Sequence, residues 1–470
     1  MDGLDVVVVG AGIGGLGSAL ALARGGNRVT LVERDDTPMP PDAEAAFDHW
    51  DRTGAPQVRH PHVFLGLART ILRDRFPDVQ RALSELGVEP APVRNNQGMT
   101  FDEATLAVLE ADDDLRMLPC RRTTFEWVMR RTVLAEAGVD LVLGRGVAGV
   151  ELRPSADGPP TVTGVRLDDG EVLPADLVVA TTGRRGDVPA WLDAHSITIS
   201  ETVGDCGVVY FSRFYRSDHD EQFGFRGGFG AGLIAGVIGS DAGTYSITAV
   251  VDRADKELRA HLNDSARFDA SMRLLPELAD VAEIDGVPIH PVHCMTGLVN
   301  RTRSFTDTSG TPLVRGLVAC GDAHTCTNPA YGRGQSLALR QAIFIADAVA
   351  DHDDVLEAAR AYEAASAEQV APWYQFSVLT DQMRAAASGN DRVAAAAGNG
   401  DAFAAVFANV GRDPELLRLV MRVMNLLELP QVMLEKLPQL AAEAPAAASP
   451  RPRGPKVVRP SRDDLLAVVA

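Results

Sequence analysis

Val6-Val7-Val8-Val9 is an unbroken apolar, β-branched run, the pattern of a central parallel strand buried on both faces. Glycines follow at 10, 12, 14 and 15, and residues 16–24 are then rich in Ala and Leu, which predicts a helix. Gly25-Gly26-Asn27 ends it, and residues 28–33 read as a second strand. Strand, turn, helix and strand fit in about thirty residues, the size of one such unit. Residues 35–56 are polar and proline-bearing, a predicted loop. Helical spacing recurs over 63–86 and 123–137, the latter leading to a strand at 139–143. Residues 147–185 alternate short β-type runs with the turns Asp157-Gly158 and Asp169-Gly170, ending in the strand Leu177-Val178-Val179. Strand patterns dominate 196–300, with a hairpin around Ser240-Asp241-Ala242-Gly243. A buried strand returns at 317–320, then a helix over 334–349 and a helical remainder. Residues 386–409 are alanine-rich. Residues 441–460 are rich in Ala and Pro and read as a flexible arm, with Ser461 capping a short last helix.

Length and charge narrow the picture. At 470 residues the chain exceeds one compact core. Apolar residues at 46 % and charged ones at 23 % are ordinary for a globular protein, and no apolar run is long enough for a membrane span. The first residues enter the apolar run without a basic leader, so no secretory signal is expected. Forty-five basic against 64 acidic residues leave −19, a field that repels phosphate backbones and anionic lipid, so nucleic acid is a poor partner. The exception is a basic cluster at Arg451, Arg453, Lys456, Arg459 and Arg462. Five scattered cysteines without a CxxC pair fit free thiols in a reducing cytoplasm, and no metal site is expected.

Gly10, Gly12 and Gly15 match G-x-G-x-x-G between a strand and a helix. The first allows the tight turn, the second lets backbone approach a pyrophosphate, and the third seats the helix on the sheet. With Ile13 and Gly14 they would place a pyrophosphate on the helix N-terminus. Glu33 closes the second strand, where a carboxylate can accept ribose hydroxyls and repel a 2′-phosphate.

Cys320-Gly321-Asp322-Ala323 and Asn328-Pro329-Ala330-Tyr331-Gly332-Arg333-Gly334 form a second strand-to-helix junction. On these residues the chain resembles the para-hydroxybenzoate hydroxylase-like, class A FAD monooxygenases. The resemblance implies that Gly321 and Asp322 bind the ribityl and pyrophosphate region of FAD. It also implies that Pro329, Gly332, Arg333 and Gly334 pass along the isoalloxazine. Gln57-Val58-Arg59-His60-Pro61-His62 is similar to a stretch of the polyether-type polyketide epoxidase subgroup. Arg121-Arg122-Thr123-Thr124-Phe125-Glu126 resembles a family segment that brings Arg122 to FAD. Arg34 and Arg59 join Arg122 as cofactor-binding candidates, with a surface role as the alternative for both Arg59 and Arg122. Arg333 departs from the family pattern, and either holds reduced flavin or an anionic substrate or points to solvent. Ala180 departs too, standing where the subgroup has aspartate.

The resemblance implies an α/β fold: a Rossmann-like FAD-binding domain of the GR2 type, an inserted mainly antiparallel β-sheet substrate domain and a helical C-terminal region. The expected division is 1–195 with 301–350 for FAD, carrying an insertion at 40–120. Residues 196–300 form the substrate sheet, 351–440 the helical region and 441–470 a flexible tail. The implied activity is epoxidation or hydroxylation of a lipophilic, polyketide-like intermediate through a flavin C4a-hydroperoxide, with NADPH or NADH as transient reductant. A redox-neutral cyclase such as a [4+2] cyclase, with FAD structural, is the alternative that Ala180 keeps open. A non-catalytic flavoprotein is the third reading. Oligomeric state is not legible.

Overall fold

The computed structural model describes residues 3–92, 103–217, 226–230, 233–278, 286–387, 413–443 and 459–468. Its centre is a five-stranded parallel sheet. Asp5–Val9 lies in the middle, flanked by Arg28–Glu33 and Val139–Leu143 on one side and by Leu177–Ala180 and Leu317–Ala319 on the other. Successive side chains of a strand point to opposite faces. Val6 and Val8 therefore pack against Leu16, Leu20 and Leu339 of the helices Ile13–Arg24 and Arg333–Asp351. Val7 and Val9 join Val150, Val165 and Leu167 of a three-stranded antiparallel sheet on the other face. An apolar quartet is needed because both faces are covered.

The expected helix over 63–86 is interrupted. Val63–Phe64 is a short strand, and Gly66–Arg75 and Pro77–Glu85 are separate helices, because Pro77 cannot donate the next helical hydrogen bond. The helix at 123–137 runs over Arg122–Ala135.

The strands Arg226–Gly230, Leu233–Gly239, Thr244–Asp252, Val208–Arg216 and Val287–Pro288 form an antiparallel sheet in that order. His293–Met295 also pairs with Val208–Arg216. One face, with Val209, Phe211, Ala249 and Val251, is covered by Leu258, Leu262, Phe268 and Met272 of two helices. The other face carries Tyr210, Ser212 and Phe214 and turns toward the first domain through the contacts described below. A small sheet of Ser200–Asp205, Val299–Ser304 and Thr325–Cys326 ties the two together.

The C-terminal region contains the helices Val355–Gln369, Ala371–Ala387, Pro414–Met424 and Pro430–Glu443. The flexible tail expected over 441–470 needs correction. Residues 459–468 dock on the antiparallel-sheet domain, where Leu465 is fully buried in that domain's apolar cluster. Arg462 pairs with Asp255 at 2.8 Å and Glu257 at 2.9 Å, and Ser461 and Asp464 form a capping box. Residues 444–458, including Arg451, Arg453 and Lys456, and most of the alanine-rich 386–409 lie outside the described residues. Among the described residues no helix is long and apolar enough to cross a membrane.

Candidate functional site

The glycine loop is built by local sterics. Gly10 has φ +105°, and a Cβ there would sit 2.8 Å from the carbonyl oxygen of Thr181. A Cβ on Gly15 would lie 1.8 Å from the oxygen of Gly10, so only hydrogen fits where helix meets strand. A Cβ on Gly12 meets nothing within 4 Å, which leaves room for a ligand against the backbone. Gly12 caps the helix Ile13–Arg24 without a side-chain hydrogen bond, and no acid stands in the first turn. Its leading N–H groups and positive end are therefore presented at the carboxyl edge of the sheet. Ile13 is buried, and Gly14 faces Cys320 Sγ and Ala338 Cβ, 3.4 and 3.5 Å from where a Cβ would be. The hydroxyl of Thr181 donates to the oxygens of Val9 and Gly10, both at 2.8 Å.

Glu33 closes this loop. Its Oε2 accepts the N–H of Ala11 at 2.9 Å and its Oε1 that of Asp35 at 3.0 Å. Each oxygen keeps a lone pair for a hydroxyl donor. Arg34, the next residue, is exposed.

From Glu33 a chain of ion pairs leads to Arg122. Arg52 lies 3.6 Å from Glu33 and 2.9 Å from Glu126, and Glu126 takes Arg122 Nε at 2.6 Å. Burial pushes the Glu126 carboxyl up, but Arg122 and Arg52 outweigh it and hold it below the usual carboxylate range. The field of Arg122 reaches Asp322, where burial dominates and raises the carboxyl against the opposing pull of Arg122, Arg184 and Arg301. Asp322 Oδ1 stands 3.7 Å from the Cβ position of Gly334. Gly321 adopts φ +64° and donates its N–H to Gln341 at 2.8 Å. The two motifs, three hundred residues apart in the chain, meet at one sheet edge.

Gly332, at φ +65°, starts the helix Arg333–Asp351, again without a side-chain cap or an acid in the first turn. The preceding turn is fastened by Asp381 of the helix Ala371–Ala387. The amides of Asn300 and Asn328 each donate to it at 2.7 Å, and the Tyr331 hydroxyl donates at 2.9 Å. Asn328 also accepts the hydroxyl of Tyr210 from the antiparallel sheet at 2.8 Å. Pro329 is exposed.

Arg333 does not point to solvent. Its guanidinium is buried in an aromatic cage, 4.6 Å from the ring of Tyr331, 4.8 Å from Phe376 and 5.5 Å from Trp373, and donates to Ser377 at 2.7 Å. Burial brings it down to about 10, with Tyr331 and Asp381 opposing. It locks the turn to the C-terminal helix.

Arg59 is also placed elsewhere than the cofactor set. Its Nη1 donates to the oxygen of Phe47 at 2.9 Å and lies 3.4 Å from His290 Nε2, on the antiparallel-sheet side. His60 and His62 diverge. His60 Nδ1 is 3.0 Å from Ser212 Oγ, whereas His62 Nε2 is 3.4 Å from Arg122.

Residue patterning missed Arg52, Asp381 and the lock between the two domains. In that lock buried Arg121 and the Thr124 hydroxyl both donate to Asp241, at 2.7 Å each. Only the fold joins such partners. The side chains of Gln335 and Ser336, in the second helix's first turn, carry buried polar atoms without hydrogen-bond partners, whereas Arg52 Nε and Asp35 Oδ2 face each other at 3.5 Å beside the Glu33 cluster. Together with the space over Gly12, these fit a dinucleotide with anionic and hydroxyl groups.

A sequence model of the family described as FAD dependent oxidoreductase matches residues 5–45. Protein Rv3254 of Mycobacterium tuberculosis is 27 % identical over 366 residues, covering 72 % of this chain and 71 % of its own. PqsL, a probable FAD-dependent monooxygenase from Pseudomonas aeruginosa, superposes with TM-score 0.59 at 18 % identity, over 83 % of this chain and 97 % of PqsL. HpxO of Klebsiella pneumoniae, solved with FAD and uric acid, gives TM-score 0.55 at 15 % identity, over 95 % and 98 %. The fold is that of the PqsL and HpxO structures.

Proposed function

We propose that the protein binds FAD between the glycine loop and the Asp322 turn and acts as a monooxygenase on a small lipophilic substrate. The observation that carries this is that two uncapped helix N-termini stand at one sheet edge, one beside the ion-pair chain Glu33–Arg52–Glu126–Arg122 and the other beside Asp322. Glu33 would accept the adenosine ribose hydroxyls, and the helix after Gly12 would hold the pyrophosphate. Asp322 would take the ribityl end, and the helix after Gly332 would set its positive end against flavin N1 and O2. When bound, FAD supplies the electron transfer and oxygen chemistry, and the chain's own residues orient the partners and exclude water.

The substrate would lie on the Tyr210, Ser212 and Phe214 face of the sheet, which meets the turn through Asn328. Its Tyr210 end is apolar, with Met295 and Val250 packed beside Tyr210. Epoxidation or hydroxylation of a polyketide-like intermediate, with NADPH or NADH as visiting reductant, is the reading we adopt. One observation favours a redox-neutral cyclase instead. Ala180 is fully buried between Val9 and Ala319, so no carboxylate stands at the end of that strand. Such a cyclase would work by orientation alone.

Anaerobic mixing of the FAD-loaded protein with NADPH or NADH decides between them. Rapid loss of the flavin's long-wavelength absorbance is expected. Persistent absorbance with substrate converted in the absence of oxygen would establish the cyclase and overturn the monooxygenase.

A further inference from the structure

A group of cationic and imidazole side chains lies outside the cofactor line. Arg59, His290 and His293 gather with His60 at the sheet face that carries Ser212. His60 and His293 rings are 6.5 Å apart and His290 and His293 rings 6.1 Å apart, and His293 pairs with Ser212 across the strands. His60 Nδ1 reaches Ser212 Oγ at 3.0 Å, and Ser212 reaches Thr248 at 2.9 Å. Phe47 closes the side, its ring 5.4 Å from that of His290.

The group is short of negative charge. Among the described residues the contacts of Arg59 are the oxygen of Phe47 and His290 and include no carboxylate, although the field of Asp48 reaches His290. A guanidinium offers five N–H donors, and only Nη1 of Arg59 has a protein partner. His293 Nε2 is buried and has none. Arg213, by contrast, sits on the strand of Ser212 with Asp269 at 2.5 Å. A planar, half-buried, unpaired guanidinium beside uncommitted imidazole nitrogens is a receptor for a carboxylate or a comparable acidic group.

The location gives it a purpose. Tyr210 and Ser212 are two residues apart on one face, about 7 Å along the strand. Tyr210 is bonded to Asn328 of the flavin-side turn. A ligand whose acidic end sits at Arg59 would therefore lay its apolar body along Tyr210 toward that turn.

We infer that Arg59, with His290 and His293, anchors the acidic group of the substrate, so that this site selects lipophilic acids. This rests on the proposed function for what happens to the ligand, but not for its binding. Calorimetric titration of the full chain tests it, using dodecanoate and naphthoate as probes, each beside its primary amide. At least one acid should bind about tenfold or more tighter than its amide. Arg59→Gln should erase that preference, Arg59→Lys should keep most of it, and both should leave FAD content unchanged. Acids binding no tighter than amides, absence of binding included, would overturn the inference. So would a preference that survives Arg59→Gln. A protein that holds no FAD but still discriminates acid from amide would leave the inference standing and remove the monooxygenase.

Discussion

Two strand-to-helix junctions build the candidate site, and they are secured in opposite ways. The glycine loop is held at its backbone: Gly15 packs on Gly10, Gly10 packs on Thr181 at the end of the adjacent strand, and the Glu33 carboxylate takes the N–H of Ala11. The turn at 328–334 is held by distant elements, with Asp381, Ser377 and Tyr210 supplying its fastenings. A loop held by its own backbone tolerates no added atom at the wrong place. A turn held by remote side chains fails when one partner is lost.

Gly15→Ala should break the first junction most severely, because the new Cβ meets backbone, not a side chain that can swing away. We expect a loss of at least about 3 kcal/mol, read as a large fall in melting temperature or failure to fold. Asp381→Ala should cost about 3 kcal/mol by stranding two buried amides and a hydroxyl. Its FAD-loaded form should turn over about tenfold more slowly while cofactor affinity barely changes. Equal losses in affinity and turnover would show that the two junctions are not independent.

Acid should act on the sheet side. Burial, with the field of His293, holds His60 down to about 3, so it stays neutral in the fold while the unfolded chain takes a proton near 6.5. The fold has this stability in full above 6.5 and loses it as pH falls toward 3, by about 1.4 kcal/mol per pH unit. His60→Gln should flatten the slope of denaturation midpoint against pH. Glu33→Ala should be milder, weakening FAD binding about tenfold. Gly12→Ala should be mildest in stability, under about 1 kcal/mol, since its Cβ enters open space, yet it should still lower FAD affinity. A full drop in stability there would erase the contrast with Gly15.

The same division explains what the sequence made legible. Gly10, Gly12, Gly15 and Glu33 follow from spacing because their constraints are local, and the strands and main helices follow from apolar periodicity. The neighbourhood of Asp322 and Arg122 rested on resemblance, and the fold brings them together. Arg333 was not readable, because Tyr-Gly-Arg-Gly does not say which helix will supply an aromatic cage. Nor was Arg59, whose partner His290 is 231 residues away. Asp381 sits in a helix whose pattern gives no sign of the turn it fastens.

The docked segment 459–468 has a mechanical consequence. Leu465 fills a seat in the antiparallel-sheet domain's apolar cluster while Arg462 is clamped by Asp255 and Glu257, so the segment braces the outer helices of that domain. Any shift of the helix Lys256–Leu262 on the sheet must break those ion pairs or peel Leu465 out of its seat.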